Sequence, residues 1–349
     1  MLSYPALDLD TCLVAVYCVV DDLYRAELES AKPSRPGHRP ELSDSEVLTL
    51  ARLAQWQQGR SERAFLRYAQ HHWRAYFPRL LSQSASNRRA RDLGGVLARL
   101  GPLVSQHFAR ALGLPVRYAV MDSLPIPLMR RCRGERHRLF GPQADIGQGG
   151  SDQDGLSGVR WLGVVNSLGL LSGFVVGPAS TAEWWLAEAV FGWRLDPQAP
   201  PPTRAEIDHL LGPSHKAGGR KGPTGPLGPR WGAGRRGPGP VLADLGFRGL
   251  SWQRHWQADS GASLLTKEAY AELAEVDRRP WERWLDGLRQ LIETAFQGLT
   301  STFGMTFPRA RTYWGLLSRL AAKVAAFDFA VCLNHQFGRP PYAFMDPLS

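Results

Sequence analysis

The chain has 349 residues, 44% of them hydrophobic, with 42 lysines and arginines against 32 acids and a formal net charge of +10 at pH 7. That apolar content can bury a sizeable core and excludes a disordered chain. The basic balance points to phosphate-rich partners, nucleic acid before a membrane surface. Lysine occurs only at Lys32, Lys216, Lys221, Lys267 and Lys323, so arginine carries the charge. Arginine suits bidentate phosphate contacts, although a GC-rich coding bias enriches it as well. Cys12, Cys18, Cys132 and Cys332 are scattered, without the spacing of a zinc site or a disulfide framework, which fits a reduced cytoplasmic compartment. The apolar run 12–20 is too short to cross a membrane and residues 1–10 lack the basic start of a signal peptide, so neither export nor insertion is expected.

Residues 8–113 read as helical throughout. Ser43 and Glu46 form a capping box ahead of Val47, Leu48, Leu50 and Leu53 at helical spacing, and Gly59 breaks the run. A second helix is expected over 61–73, closed by Pro78, and a third, basic helix from Ser86 towards Ala111, studded with Arg88, Arg89 and Arg91. Short helices, a tight turn and an arginine-bearing helix fit a helix-turn-helix-like DNA-binding module; an ordinary bundle with a solvated basic face gives the same pattern. After Pro115 the period becomes extended. Residues 116–121 read as a strand, 159–165 and 170–176 as a hairpin around Asn166, Ser167, Leu168 and Gly169, and 181–191 as a helix. Trp184 and Trp185, adjacent on that helix, are expected to face different ways, one into the core and one free to stack on a base. Residues 196–240 are dominated by proline, glycine and arginine and read as a basic, largely flexible insertion, with a short helix possible over 205–211. Residues 241–243 and 263–266 resume the strands, and two long helices finish the chain. The first carries an apolar stripe of Leu285, Leu288, Ile292, Phe296 and Leu299, with Asp286, Arg289, Glu293 and Gln297 on a different face. The last, over 309–334, carries Leu316, Leu320, Val324, Phe327 and Val331 and reads as structural.

Asp122 and Asp244 each follow a hydrophobic strand, where α/β folds place ligand-binding and catalytic groups. Pro125 and Pro127 are expected to stop the first strand just beyond Asp122 and leave its tip exposed. Gly246 and Gly249 form a tight turn after Asp244, where backbone can approach a ligand closely. Two strand-tip aspartates and the helical Glu293 are the oxygen donors that hard divalent cations prefer, and two such ions can clamp a phosphodiester. Each acid singly also fits a strand-end cap or, for Glu293, a solvated pair with Arg289.

Jointly, these segments resemble a family. Leu42, Ser43, Asp44, Ser45, Glu46 and the helix they open; Ser61, Glu62 and Arg63; Asn87, Arg88 and Arg89; Met121, Asp122 and Ser123; Ala243, Asp244, Leu245 and Gly246; and Arg289 with Glu293 stand in the order found in bacterial insertion-sequence transposases. The resemblance is closest to the DDE transposases grouped around insertion sequence 982, related to the insertion-sequence 4 and 5 clan. It implies an α/β fold: an RNase H-like catalytic core, with a mixed sheet flanked by helices, behind an N-terminal all-helical domain. The implied plan is a DNA-binding domain over 1–113, a first part of the core over 114–195, the insertion over 196–240, a second part with C-terminal helices over 241–335, and a tail over 336–349. Asp122, Asp244 and Glu293 are the implied catalytic and metal-binding triad, with two Mg2+ or Mn2+ ions. The implied activity is nicking of double-stranded DNA at terminal inverted repeats and transfer of the freed 3′-hydroxyl into target DNA, by a homodimer or larger assembly in the bacterial nucleoid. Arg88, Arg89, Arg91, Arg130, Arg131, Arg133, Arg136, Arg160, Arg248 and Arg289 are the expected DNA contacts. The chain departs from relatives around the glutamate, where Asp286 stands for a tyrosine and Thr300 for a lysine. On the second core strand, Trp161 stands for a histidine and Arg160 for a lysine. A domesticated DNA-binding relic and a nuclease without strand transfer are the alternatives.

Overall fold

The computed structural model describes residues 9–29, 40–56, 61–134, 140–148, 155–195, 231–232, 240–247, 249–266 and 275–344. Helices come first: α1 (Leu9–Leu23), continued by a π-helical turn Tyr24–Leu28, then α2 (Asp44–Trp56), α3 (Glu62–His72), α4 (Gln83–Asp92) and α5 (Gly94–Ala111). Next come β1 (Ala119–Arg130), the short α6 (Arg131–Gly134), β2 (Asp145–Gln148), β3 (Gly155–Asn166), β4 (Leu171–Pro178) and α7 (Glu183–Leu195). The chain then runs through β5 (Trp231–Gly232), β6 (Val241–Ala243), α8 (Leu250–Ser260), β7 (Leu264–Leu265), α9 (Glu275–Ser301) and α10 (Tyr313–Gln336). Most of the expected insertion, its possible helix over 205–211 included, lies outside the described residues, as does Gly59. Among the described residues no helix is long and apolar enough to cross a membrane.

Contacts divide the chain into two compact units, Met1–Phe108 with Gln297–Ser349, and Ala109–Phe296. The first unit is helical. Its α2 starts on the capping box as read from sequence: the Ser43 N–H donates to Glu46 Oε2 at 2.6 Å and the Glu46 N–H to Ser43 Oγ at 3.2 Å, satisfying two of the donors a helix start leaves open. The expected third helix is two. α4 ends at Leu93, and α5 begins at Gly94, where a Cβ would stand 2.7 Å from Ser318 Oγ; the break brings bare backbone against α10. α10 was expected with the second half of the core, but it packs on α2 and α4 instead. Its Leu316, Leu320, Val324, Phe327 and Val331 are fully buried, and so are residues on its other sides. A helix that is apolar nearly all round needs cover on every side.

The second unit is α/β, built on a mixed seven-stranded sheet in the order β5-β4-β3-β1-β6-β7, with β2 paired to β3. The pairs β1–β3, β2–β3, β3–β4 and β4–β5 are antiparallel, whereas β6 lies parallel to β1 and β7 parallel to β6. The expected hairpin is β3–β4; Asn166 Oδ1 caps its turn by accepting from the Leu168 and Leu170 N–H groups at 3.0 and 3.1 Å. β1 corrects the expectation that Pro125 and Pro127 end it, since it pairs with β3 through Arg130. The Ala119 N–H donates to the Pro240 carbonyl at 3.0 Å, so the odd-numbered amides of β1 point to the β6 side. The β6 pairing ends at Met121, and the N–H groups that the prolines lack fall on a side β6 has already left.

Side chains alternate between sheet faces. Ala119, Met121, Leu162, Val164, Val241 and Ala243 pack with α7 and α8 in one core cluster. Trp161, of opposite parity, meets Phe174 and Phe296 at ring-centroid distances of 5.9 and 5.3 Å, so α9 covers the other face with its apolar stripe.

Candidate active site

β1 and β6 are parallel neighbours whose last paired residues are Met121 and Ala243. The next residue on each strand is an aspartate, so Asp122 and Asp244 stand side by side, with the spacing of adjacent strands at roughly 4.8 Å. Both have the parity that faces away from α7, towards the side where α9 lies. The Ser123 N–H donates to Asp122 Oδ1 at 2.7 Å, and the Gly246 N–H to Asp244 Oδ1 at 2.7 Å. These bonds fix the Asp122 carboxylate where β6 parts from β1, which stays paired with β3, and the Asp244 carboxylate just past the end of β6.

The electrostatics follow from this crowding. Asp122 is half-buried, and burial above all pushes its carboxyl up to about 7, opposed by the Ser123 backbone bond and reinforced by Asp244 and Glu183. Arg289 on α9 acts in the opposite sense, so its guanidinium is felt at Asp122. Glu293 lies one turn further along α9 and is exposed. Glu293 is not among the groups felt at Asp122, where Asp244, Glu183 and Arg289 act.

Glu183, the first residue of α7, was missed by sequence reasoning. Its Oε1 accepts from Ser123 Oγ at 2.6 Å and from Arg160 Nη1 at 3.1 Å. A Cβ at Gly246 would lie 2.0 Å from Glu183 Oε2 and 2.8 Å from Asp244 Oδ1, which brings the two carboxylates to one point and explains why glycine occupies it. The only sequence signal was a carboxylate opening a helix directly after a strand. Among the described residues, no three His, Cys, Asp or Glu side chains form a group that could hold a metal ion. Glu183 is turned to Ser123 and Arg160.

The expected DNA contacts divide. Arg88 and Arg91 on α4 are exposed. Arg89 is tied to Asp44 Oδ1 at 2.5 Å and to the Leu42 carbonyl at 3.4 Å, so it serves to join α4 to the start of α2. Arg133 is exposed and Arg289 half-buried. Arg160 is bound to Glu183 and to the Ala179 carbonyl. Arg136, Arg248 and the side chains of Arg130 and Arg131 lie outside the described residues. Trp161 is fully buried and is a core residue. Trp184 and Trp185 do not divide between core and surface: their rings stack at 5.0 Å, and Trp184 also meets Trp252 at 4.8 Å. Both belong to the aromatic packing beneath α8.

Comparison of the chain with protein-family models, with curated proteins and with solved structures finds no match.

Proposed function

We propose that the chain is a DDE-type DNA transposase that binds the terminal inverted repeats of its insertion sequence, hydrolyses phosphodiesters at the repeat ends and transfers the freed strands into target DNA. The observation that carries this reading is the placement of Asp122 and Asp244 immediately after Met121 and Ala243, the last residues that the parallel strands β1 and β6 pair with each other. The mixed sheet with helices on its faces is the architecture that an RNase H-like core calls for, and the net positive charge suits a DNA substrate.

The donor set fits hard divalent cations. Two carboxylates held together, one of them pushed up to about 7, form a site whose repulsion a cation relieves, and oxygen-only ligands suit Mg2+ and Mn2+. When bound, a pair of such ions supplies Lewis acidity at the phosphate and lowers the pKa of an attacking water. Asp122 and Asp244 would hold that pair, with Glu293 as the third ligand that the family resemblance assigns. Arg289, felt at Asp122, balances the acidic cluster and can donate to a phosphate oxygen. Ser123, Arg160 and Glu183 are positioning residues: the hydroxyl and the guanidinium fix the Glu183 carboxylate, which stands against Asp244 across Gly246. No covalent protein nucleophile is needed, because in-line positioning carries the displacement. Joining two element ends calls for at least two protomers on DNA, in the bacterial nucleoid.

The test is an end-labelled duplex carrying the element's inverted repeat, incubated with Mg2+ or with EDTA. Nicking at the repeat end with Mg2+ alone, followed by strand-joined products, is the expected result. Nicks without joining would make the protein a nuclease, and binding without nicks a DNA-binding relic.

A further inference from the structure

The helical unit contains a second site unrelated to the strand-tip acids, a cavity of about 910 Å³. Among the described residues five cationic side chains line it, Arg91, Arg309, Arg311, Arg319 and Lys323, against one carboxylate, Glu62. That carboxylate is already engaged: Oε1 pairs with Arg319 Nη2 at 2.6 Å and Oε2 accepts from Asn87 Nδ2 at 2.8 Å. Four positive charges are left facing the space.

Lys323, the only lysine among the described residues, is buried at the foot of the cavity and donates to the Phe303 carbonyl. Burial above all, with the charges of Arg319 and Arg309 beside it, lowers its ammonium to about 8, and Glu62 acts in the opposite sense. A buried ammonium surrounded by guanidinium groups is costly unless an anion shares the space. The wall supports the same conclusion. Arg309 is a non-glycine residue at φ 51°, and Arg319 holds its loop by donating to the Pro308 and Arg309 carbonyls. Left-handed backbone at a bulky residue costs free energy and marks a side chain held for a purpose. The helix N-caps Ser61 and Thr312 also line the cavity, adding the positive ends of two helix dipoles. The remaining lining mixes apolar side chains with polar ones such as Gln55, Gln83 and Thr300, and Phe307, 72% exposed, presents an aromatic face to a ligand.

We infer that this cavity binds a phosphate-bearing nucleotide, with the phosphate on Lys323, Arg309 and Arg311 and the base against Phe307. Its volume lies in the range of about 300–1,000 Å³ that small-molecule sites occupy, and aromatic stacking accepts any base. The nucleotide can be free or can be the 5′ end of a nucleic-acid strand; both present the same chemistry.

Titration calorimetry on the full chain in EDTA separates this site from the metal-dependent one. The ligands are inorganic phosphate, a deoxynucleoside 5′-monophosphate, the matching nucleoside, and a short single-stranded oligonucleotide with and without a 5′-phosphate. The monophosphate binds with one-to-one stoichiometry and the nucleoside at least about tenfold more weakly, as loss of a charge-assisted contact requires. Lys323→Met and the exposed Arg311→Glu each weaken binding by about tenfold or more, with melting temperatures measured alongside, and Asp122→Asn leaves it unchanged. A 5′-phosphorylated oligonucleotide that binds more tightly than the monophosphate assigns the site to a strand end; equal binding assigns it to a free nucleotide. Absence of binding by both phosphorylated ligands, or binding indifferent to both cavity variants, would overturn the inference.

Discussion

Carboxylates crowd together only where something offsets their repulsion, and at Asp122 the protein's own offset is small: one backbone N–H and the Arg289 guanidinium, against burial, Asp244 and Glu183. A divalent cation is the natural complement. Millimolar Mg2+ should therefore raise the thermal midpoint of the unchanged protein and leave that of Asp122→Asn unmoved in a differential scanning experiment. The third acid is a separate matter, because Glu183 is anchored and Glu293 is exposed. Glu293→Gln is expected to abolish DNA nicking, whereas Glu183→Gln, which releases Ser123 and Arg160, is expected to slow it by about 10²-fold, as for a misplaced reacting group. The reverse ranking would transfer the third-ligand role to Glu183. Lys323 supplies a pH dependence whose sign is fixed. Its folded pKa of about 8 lies below the ordinary lysine value of 10.5, so the unfolded chain binds more protons between those values and stability rises as pH increases from 8 towards 10.5. Urea melts of the unchanged protein against Lys323→Met should show the unchanged protein gaining on the variant over that window; a constant gap would contradict the placement of Lys323.

At the scale of elements, β1 and β3 carry the site and tolerate little change. Gly158 pairs with Pro127, and a Cβ there would stand 2.2 Å from the Ile126 carbonyl oxygen, a backbone atom that cannot turn aside. Gly158→Ala should destabilise the protein by about 1–3 kcal/mol or more, read from denaturant midpoints. Trp161→Ala removes the ring that joins β3 to Phe174 and Phe296 and should cost about 3–5 kcal/mol. The end of β6 before Asp244 and the hairpin turn at Asn166 were legible in the sequence, because both are local patterns. The continuation of β1 past Pro125 and Pro127 was not, since it depends on which side β6 leaves. Glu183 was hidden for a similar reason: its meaning lies in Ser123, Arg160 and Gly246, which are distant in sequence. Trp184 and Trp185 were misjudged because helical spacing alone does not reveal that α8 supplies Trp252 as a second partner.

For the whole molecule, the division into a helical unit and an α/β unit separates the exposed arginines Arg88 and Arg91 from the strand-tip acids along the chain. If the proposed DNA contacts number about 6–10, affinity for duplex DNA should fall by about 10³–10⁵ between 50 and 200 mM salt, and Arg88→Ala or Arg91→Ala should each reduce the slope by about one phosphate contact, measured by fluorescence anisotropy. The most direct test of the central claim is Mg2+-dependent nicking of inverted-repeat DNA by the unchanged protein, Asp122→Asn and Asp244→Asn at equal DNA occupancy. The two-aspartate site predicts repeat-end nicks from the unchanged protein and none from either variant, with DNA binding retained by all three. Nicking that persists in both variants would contradict it.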